Sequence, residues 1–137
     1  MYNCIVVPVD LTHKDKLGKA IEVAADLARL YKAALHFVGV TATPPSAVAH
    51  NPEEFAMVLA QYAKDEGARL GLEIGADTVI SRDPAVDLDE DLDKEIHKLG
   101  ADLVVMASHV PHFREYVFAS NAGYLASHTD VSVLVVR

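Results

Sequence analysis

Two places in this chain gather the residues with the most chemistry to offer. The first is Asp10, a carboxylate that closes the apolar run Cys4-Ile5-Val6-Val7-Pro8-Val9. The second is the stretch from Ala107 to Asn121, which joins another apolar run to a helical one. Ser120 and Asn121 stand where that helix begins. The unpaired N–H groups and dipole of a helix start make an anion site, so Ser120 can cap the helix or donate its hydroxyl to an anion. Asp10 has the same two readings: partner of a ligand, or cap of the turn that follows it. His109 and His112 form an H-x-x-H pair. No further His, Cys or acidic cluster is fixed beside them by sequence, so no metal centre is expected. Arg114 is the lone fixed cation of the stretch, and Glu115 offsets it. Cys4 opens a buried strand and reads as a core thiol; a nucleophile would need a base and exposure. No catalytic residue is assigned.

These residues are positioned by alternating periods. The run from Cys4 to Val9 suits a strand covered on both faces. Leu17, Ala20, Ile21, Ala24, Leu27, Ala28 and Tyr31 then recur at helical spacing, with Thr12 as the expected N-cap. Leu35 to Val40 is a second strand, and Pro44-Pro45 marks a loop up to His50. Asn51-Pro52-Glu53-Glu54 starts a second helix whose stripe is Phe55, Val58, Leu59, Tyr62 and Ala63. Thr78 to Ile80 is a short third strand. Leu88, Leu92, Ile96 and Leu99 mark a third helix, and Leu103 to Met106 a fourth strand. Ala122, Leu125 and Ala126 mark a fourth helix, and Val131 to Val136 a closing strand. Gly75 and Gly100, each followed by Ala-Asp, suit a chain leaving a helix in the left-handed region. Met57 and Met106 sit at core-like spacings.

Alternating strands and helices imply a single α/β domain over residues 1–137, with a mostly parallel sheet covered on both faces. In such sheets ligands bind beyond the carboxyl ends of the strands. Attention therefore falls on Asp10, on Val40 and Thr41, and on Ala107 onward.

Composition narrows the partners. Twelve basic against 20 acidic residues leave a net charge of −8, which disfavours nucleic acid and anionic membrane surfaces. Asp87 to Glu95 holds six acids and one base and so carries −5 of that charge. It reads as a solvated helix start. The N-terminus has no basic leader, no apolar run approaches the ~20 residues of a membrane span, and the single cysteine fits a reducing compartment. A soluble cytoplasmic protein is expected.

The chain resembles the universal stress protein family over essentially its whole length. Val7-Pro8-Val9-Asp10 looks like that family's first strand and its acidic end. Gly100-Ala101-Asp102-Leu103-Val104-Val105-Met106 looks like the entry to its fourth strand, and Ser132-Val133-Leu134-Val135-Val136-Arg137 like its closing strand. The resemblance implies a three-layer, doubly wound, five-stranded parallel sheet of order 3-2-1-4-5, akin to the adenine nucleotide alpha hydrolases. It implies ATP or AMP as ligand, with Mg²⁺ accompanying ATP. The implied binding residues are Pro8, Val9, Asp10, Val40, Met106, Ala107, His109, Val110, Ala119, Ser120 and Asn121, with Asp10 meeting adenine or a nucleotide-bound metal.

The loop departs from the pattern of nucleotide-binding members: Gly, two residues, Gly, nine residues, Gly, then Ser or Thr. Ala107, Val110 and Ala119 replace the three glycines, the long gap is one residue shorter, and Ser120 is retained. Alanine keeps its N–H, but its methyl limits the approach of a phosphate. Valine resists φ > 0. Two functions follow: a nucleotide-binding stress regulator, or one that has lost the nucleotide and works through dimerisation and partner contacts. At most slow ATP hydrolysis is expected. An α-hydrolase enzyme would need a glycine-rich turn after the first strand, and Asp10-Leu11-Thr12-His13 has none. Family members commonly dimerise through the closing edge strand, so a homodimer is expected; the sequence names no other protein partner.

Overall fold

A computed structural model describes residues 1–107 and 122–137. The chain runs β1 (Cys4–Pro8), a 3₁₀ segment (Leu11–Lys16), α1 (Gly18–Tyr31), β2 (Ala34–Thr41), α2 (Pro52–Leu70) and β3 (Ile74–Ile80). It continues through α3 (Pro84–Lys98), β4 (Leu103–Ala107), α4 (Ala122–His128) and β5 (Ser132–Val136). The strands form one parallel sheet in the order β3-β2-β1-β4-β5, as the resemblance implies.

Register sorts the side chains. Val7 lies opposite Phe37, and Phe37 opposite Ala76; Val6 lies opposite His36 and Val104. Residues two apart share a face. Ile5, Val7, Leu35, Phe37, Leu103 and Val105 therefore pack on one side with Ala20, Ile21, Ala24 and Ala28 of α1 and Phe55, Leu59 and Ala63 of α2. Cys4, Val6, Val38, Val104 and Met106 pack on the other with Leu88, Leu92 and Ile96 of α3 and Leu125 of α4. The central strands β1 and β4 are buried along their whole length, which is why their sequence is apolar without alternation.

Several expectations change. Thr12 is not the N-cap of the first helix. Asp10 caps the 3₁₀ segment by accepting the Thr12 N–H, and α1 starts only at Gly18, after Leu17, which makes no side-chain cap. The third strand begins at Ile74, four residues before the expected Thr78. Gly75 therefore lies inside a strand and is not a helix terminator. The left-handed residue that ends α2 is Gly71 (φ 68°), whereas Gly100 (φ 69°) does leave α3 as expected. Gly75 is needed for a different reason: His36 lies across it, and a Cβ there would come 2.5 Å from His36 Nδ1. The same imidazole nitrogen is 2.9 Å from Asp77 Oδ2. Met57 is a surface residue, 73% exposed, while Met106 is buried. Cys4 is buried, its thiol directed at the Leu99 carbonyl, and burial with nearby Asp102 and Asp77 pushes its pKa up. That is a structural thiol.

Asp102 fastens the start of the chain to β4. The N–H groups of Asn3 and Cys4 both donate to its carboxylate, at 2.9 Å and 3.0 Å, and its own N–H donates to the Cys4 carbonyl. Partial burial would raise this carboxyl, but the amides of Cys4 and Asn3 outweigh it and hold the pKa below the ordinary value.

Candidate functional site

A cavity of about 240 Å³ opens at the carboxyl ends of β1 and β2. Val9, Asp10, Leu11 and Thr12 form one wall, and Val40, Thr41 and Ala42 the next. Ser46, Val48 and Phe55 close a third side, and Pro84 and Leu88 of α3 a fourth. Two larger grooves, of about 590 and 750 Å³, flank β3. One runs between α2 and β3; the other lies at the amino ends of β2 and β3. Volume would favour them, but position decides against it. Parallel sheets bind ligands beyond the carboxyl ends of their strands, where the crossovers diverge.

Each wall has a local cause. Pro8 pairs with Val38 at the end of β1, and the Val9 N–H then donates to the Val38 carbonyl. This carries Asp10 to the lip of the cavity. Its Oδ1 accepts the Thr12 N–H at 3.0 Å, and its Oδ2 lies 3.0 Å from His13 Nδ1. A carboxylate can only accept, so the imidazole Nδ1–H is the donor. Asp10 thus caps the following turn, as one of its two readings expects, and its side of the strand end also lines the cavity. Ser46 builds the third wall. The N–H groups of Val48 and Ala49 donate to its hydroxyl oxygen, and its own N–H donates to the Ala49 carbonyl. That turn sets Val48 against the cavity and buries Ala49. Asn51 then caps α2 by accepting the Glu54 N–H at 2.8 Å, and the His50 N–H donates back to Glu54. The His50 amide and imidazole hold the Glu54 carboxyl below its usual pKa. With α2 anchored, Phe55 reaches Gly39 of β2, where a Cβ would come 2.8 Å from its ring. Gly39 therefore lets an α2 ring reach the cavity floor.

Of the residues expected from sequence, Val9, Asp10 and Val40 are brought together on this cavity. Pro8 and Ala107, which end β1 and β4, and Met106, next to the end of β4, are buried and do not line it. His109, Val110, Ala119, Ser120 and Asn121 lie outside the described residues. Sequence reasoning named Thr41, and Thr12 only as a helix cap, but missed Leu11, Ala42, Ser46, Val48, Phe55, Pro84 and Leu88 as lining. Phe55 and Leu88 carry only a core-like signal. Ser46 follows Pro44-Pro45 in a segment with no period, and its turn is set by one hydroxyl.

The arrangement is an apolar slot with a single fixed carboxylate. Such a slot suits a flat, mostly apolar group that presents N–H or O–H donors to Asp10. Among the described residues no group of three or more His, Cys, Asp or Glu is placed to hold a metal ion. No helix among them is long and apolar enough to cross a membrane.

The sequence matches the universal stress protein family over residues 1–137. Universal stress protein G of Shigella flexneri is 26% identical over 148 residues, all of both chains being covered. A solved universal stress protein from Burkholderia pseudomallei superposes with a TM-score of 0.71 at 25% identity, over 98% of this chain and 96% of that one. A universal stress protein solved in complex with cAMP also gives a TM-score of 0.71, at 20% identity, over 99% of this chain and 97% of that one.

Proposed function

The chain belongs to the universal stress protein family, and from that premise we propose that it is a cytoplasmic stress-response regulator that binds an adenine nucleotide, AMP or ATP. Asp10, fixed at the lip of the apolar slot beside Val9 and Val40, is the observation that carries this reading. A solved relative was captured with cAMP. The slot is smaller than the roughly 300–1,000 Å³ usual for a whole small-molecule ligand. It takes the base, and the ribose and phosphates extend beyond it toward the end of β4. Asp10 accepts from the base or sugar there. With ATP, Mg²⁺ would accompany the nucleotide and neutralise charge on its phosphates. The proposed function is binding: the slot's carboxylate is a hydrogen-bonded acceptor, tied to the Thr12 amide and the His13 imidazole.

Calorimetric titration with AMP, and with ATP in the presence and absence of Mg²⁺, tests this. Saturable binding is expected, and Asp10→Ala is expected to weaken it at least about tenfold, the cost of one charge-assisted hydrogen bond. Absence of heat and of any thermal shift at millimolar nucleotide would leave the second reading, a family member that acts without nucleotide. The buried methyl of Ala107, at a position where the resemblance implies glycine in nucleotide binders, favours that second reading.

The regulator works as a homodimer. The outer edge of β5 is unpaired among the described residues, its strand Ser132–Val136 carries no charge, and Leu134 and Val135 are each 38% exposed. Such an edge seeks a partner strand, whereas the opposite edge, β3, carries Asp77. Sedimentation should give twice the chain mass; a monomer at high protein concentration would remove the proposal.

A further inference from the structure

We propose that His13 is the positioning residue for the Asp10 carboxylate, a role that rests on the nucleotide-site reading. The two residues are linked twice. The His13 N–H donates to the Asp10 carbonyl at 3.0 Å, and His13 Nδ1 lies 3.0 Å from Asp10 Oδ2. The backbone explains how an imidazole three residues on can reach back. The 3₁₀ segment is broken at His13, whose φ of −125° and ψ of 44° are not helical. Both side chains are nearly buried, 14% exposed for His13 and 11% for Asp10, so the contact is held by packing and not by a mobile surface pair.

The geometry divides the labour. The last torsion of an aspartate is broad, so a carboxylate with one tether turns freely. Thr12 N–H on Oδ1 is one tether; His13 on Oδ2 is the second, and the plane of the group is then fixed. Each oxygen keeps a further lone pair for a ligand donor. Asp10 and Thr12 line the slot, but His13 does not. It therefore acts through Asp10, by orienting the acceptor before the ligand arrives.

The test uses His13→Ala and His13→Asn in the full chain, since an asparagine amide can place an N–H donor where Nδ1 stands. AMP is titrated calorimetrically, and amide hydrogen exchange at Thr12 is followed by NMR. His13→Ala is expected to weaken AMP about tenfold, and His13→Asn to recover to within about threefold of wild type. In the Asp10→Ala background His13→Ala should add nothing, because the two act as one unit. Thr12 exchange should quicken about tenfold in His13→Ala and recover in His13→Asn. If wild type binds AMP and His13→Ala binds it equally well, or if its loss adds to that of Asp10→Ala, the positioning role is wrong. If wild type takes no AMP, the nucleotide reading falls. Thr12 exchange then decides alone: an unchanged rate in His13→Ala overturns the hold of His13 on Asp10, and a rescued rate upholds it.

Discussion

Replacing Gly67 with alanine is expected to destabilise the fold by about 2 kcal/mol, against the usual sign for that exchange. In an exposed helix interior alanine is favoured over glycine by roughly 0.5–1 kcal/mol. Gly67 sits in the last turns of α2, and a Cβ on it would come 2.6 Å from the Leu72 carbonyl oxygen. That oxygen belongs to the backbone that has just turned through the left-handed Gly71. The Gly71 and Leu72 amides both donate to the Gly67 carbonyl. Alanine must push the returning chain away from these bonds, so overpacking of about 1–3 kcal/mol adds to weakened capping. Gly18, the first residue of α1, meets nothing within 4 Å and serves as control: its alanine variant should stay within about 0.5 kcal/mol of wild type. Urea unfolding followed by circular dichroism gives both numbers, the chain having no tryptophan. A Gly67→Ala midpoint at or above wild type would show that the turn yields.

Phe37→Ala should cost more, about 4 kcal/mol, a large part of the ~5–15 kcal/mol that holds a typical domain together. Phe37 is fully buried in β2, opposite Val7 and Ala76, with the Tyr62 ring 5.6 Å away on α2. Its own strand is held between β1 and β3, and none of the three can close the void without breaking the pairing. Partial burial pushes the Tyr62 phenol up to about 12, with Glu66 adding to the rise. The same urea experiment tests this substitution. A loss under about 1.5 kcal/mol would mean that α2 settles into the space, and that the slot wall at Phe55 moves with it.

Legibility in the sequence followed physical cause. The central strands could be read because burial on both faces forces continuous apolar runs, as in Cys4 to Pro8 and Leu103 to Ala107. Helix α2 could be read because its start depends on adjacent residues, Asn51, Pro52 and Glu54. The opening of β3 could not. Ile74-Gly75-Ala76-Asp77 has glycine and aspartate where strands rarely want them, and both are explained only by His36 of the neighbouring strand. The residues of that edge strand are half exposed or exposed, so alternation is weak there. At the site, Asp10 was visible because it ends an apolar run. Ser46 and Val48 were not, since one hydroxyl in an aperiodic loop places them. Gly71 was overlooked for Gly75 because a glycine four residues further on imitates the same punctuation.

The Asp102 fastening has a consequence for synthesis. Cys4 and Asp102 are 98 residues apart, so β1 cannot acquire its second neighbour until most of the chain has been made. At a translation speed of about 5–20 residues per second, the β1 edge stays open for roughly 5–20 s on the ribosome. During that interval a fully apolar strand is first unpaired and then, once β2 (Ala34–Thr41) has been made, paired only with β2, and an unfilled edge of this kind is where nascent chains associate wrongly. The carboxylate that fastens β1 to β4 can therefore close this seam only once β4 has been made.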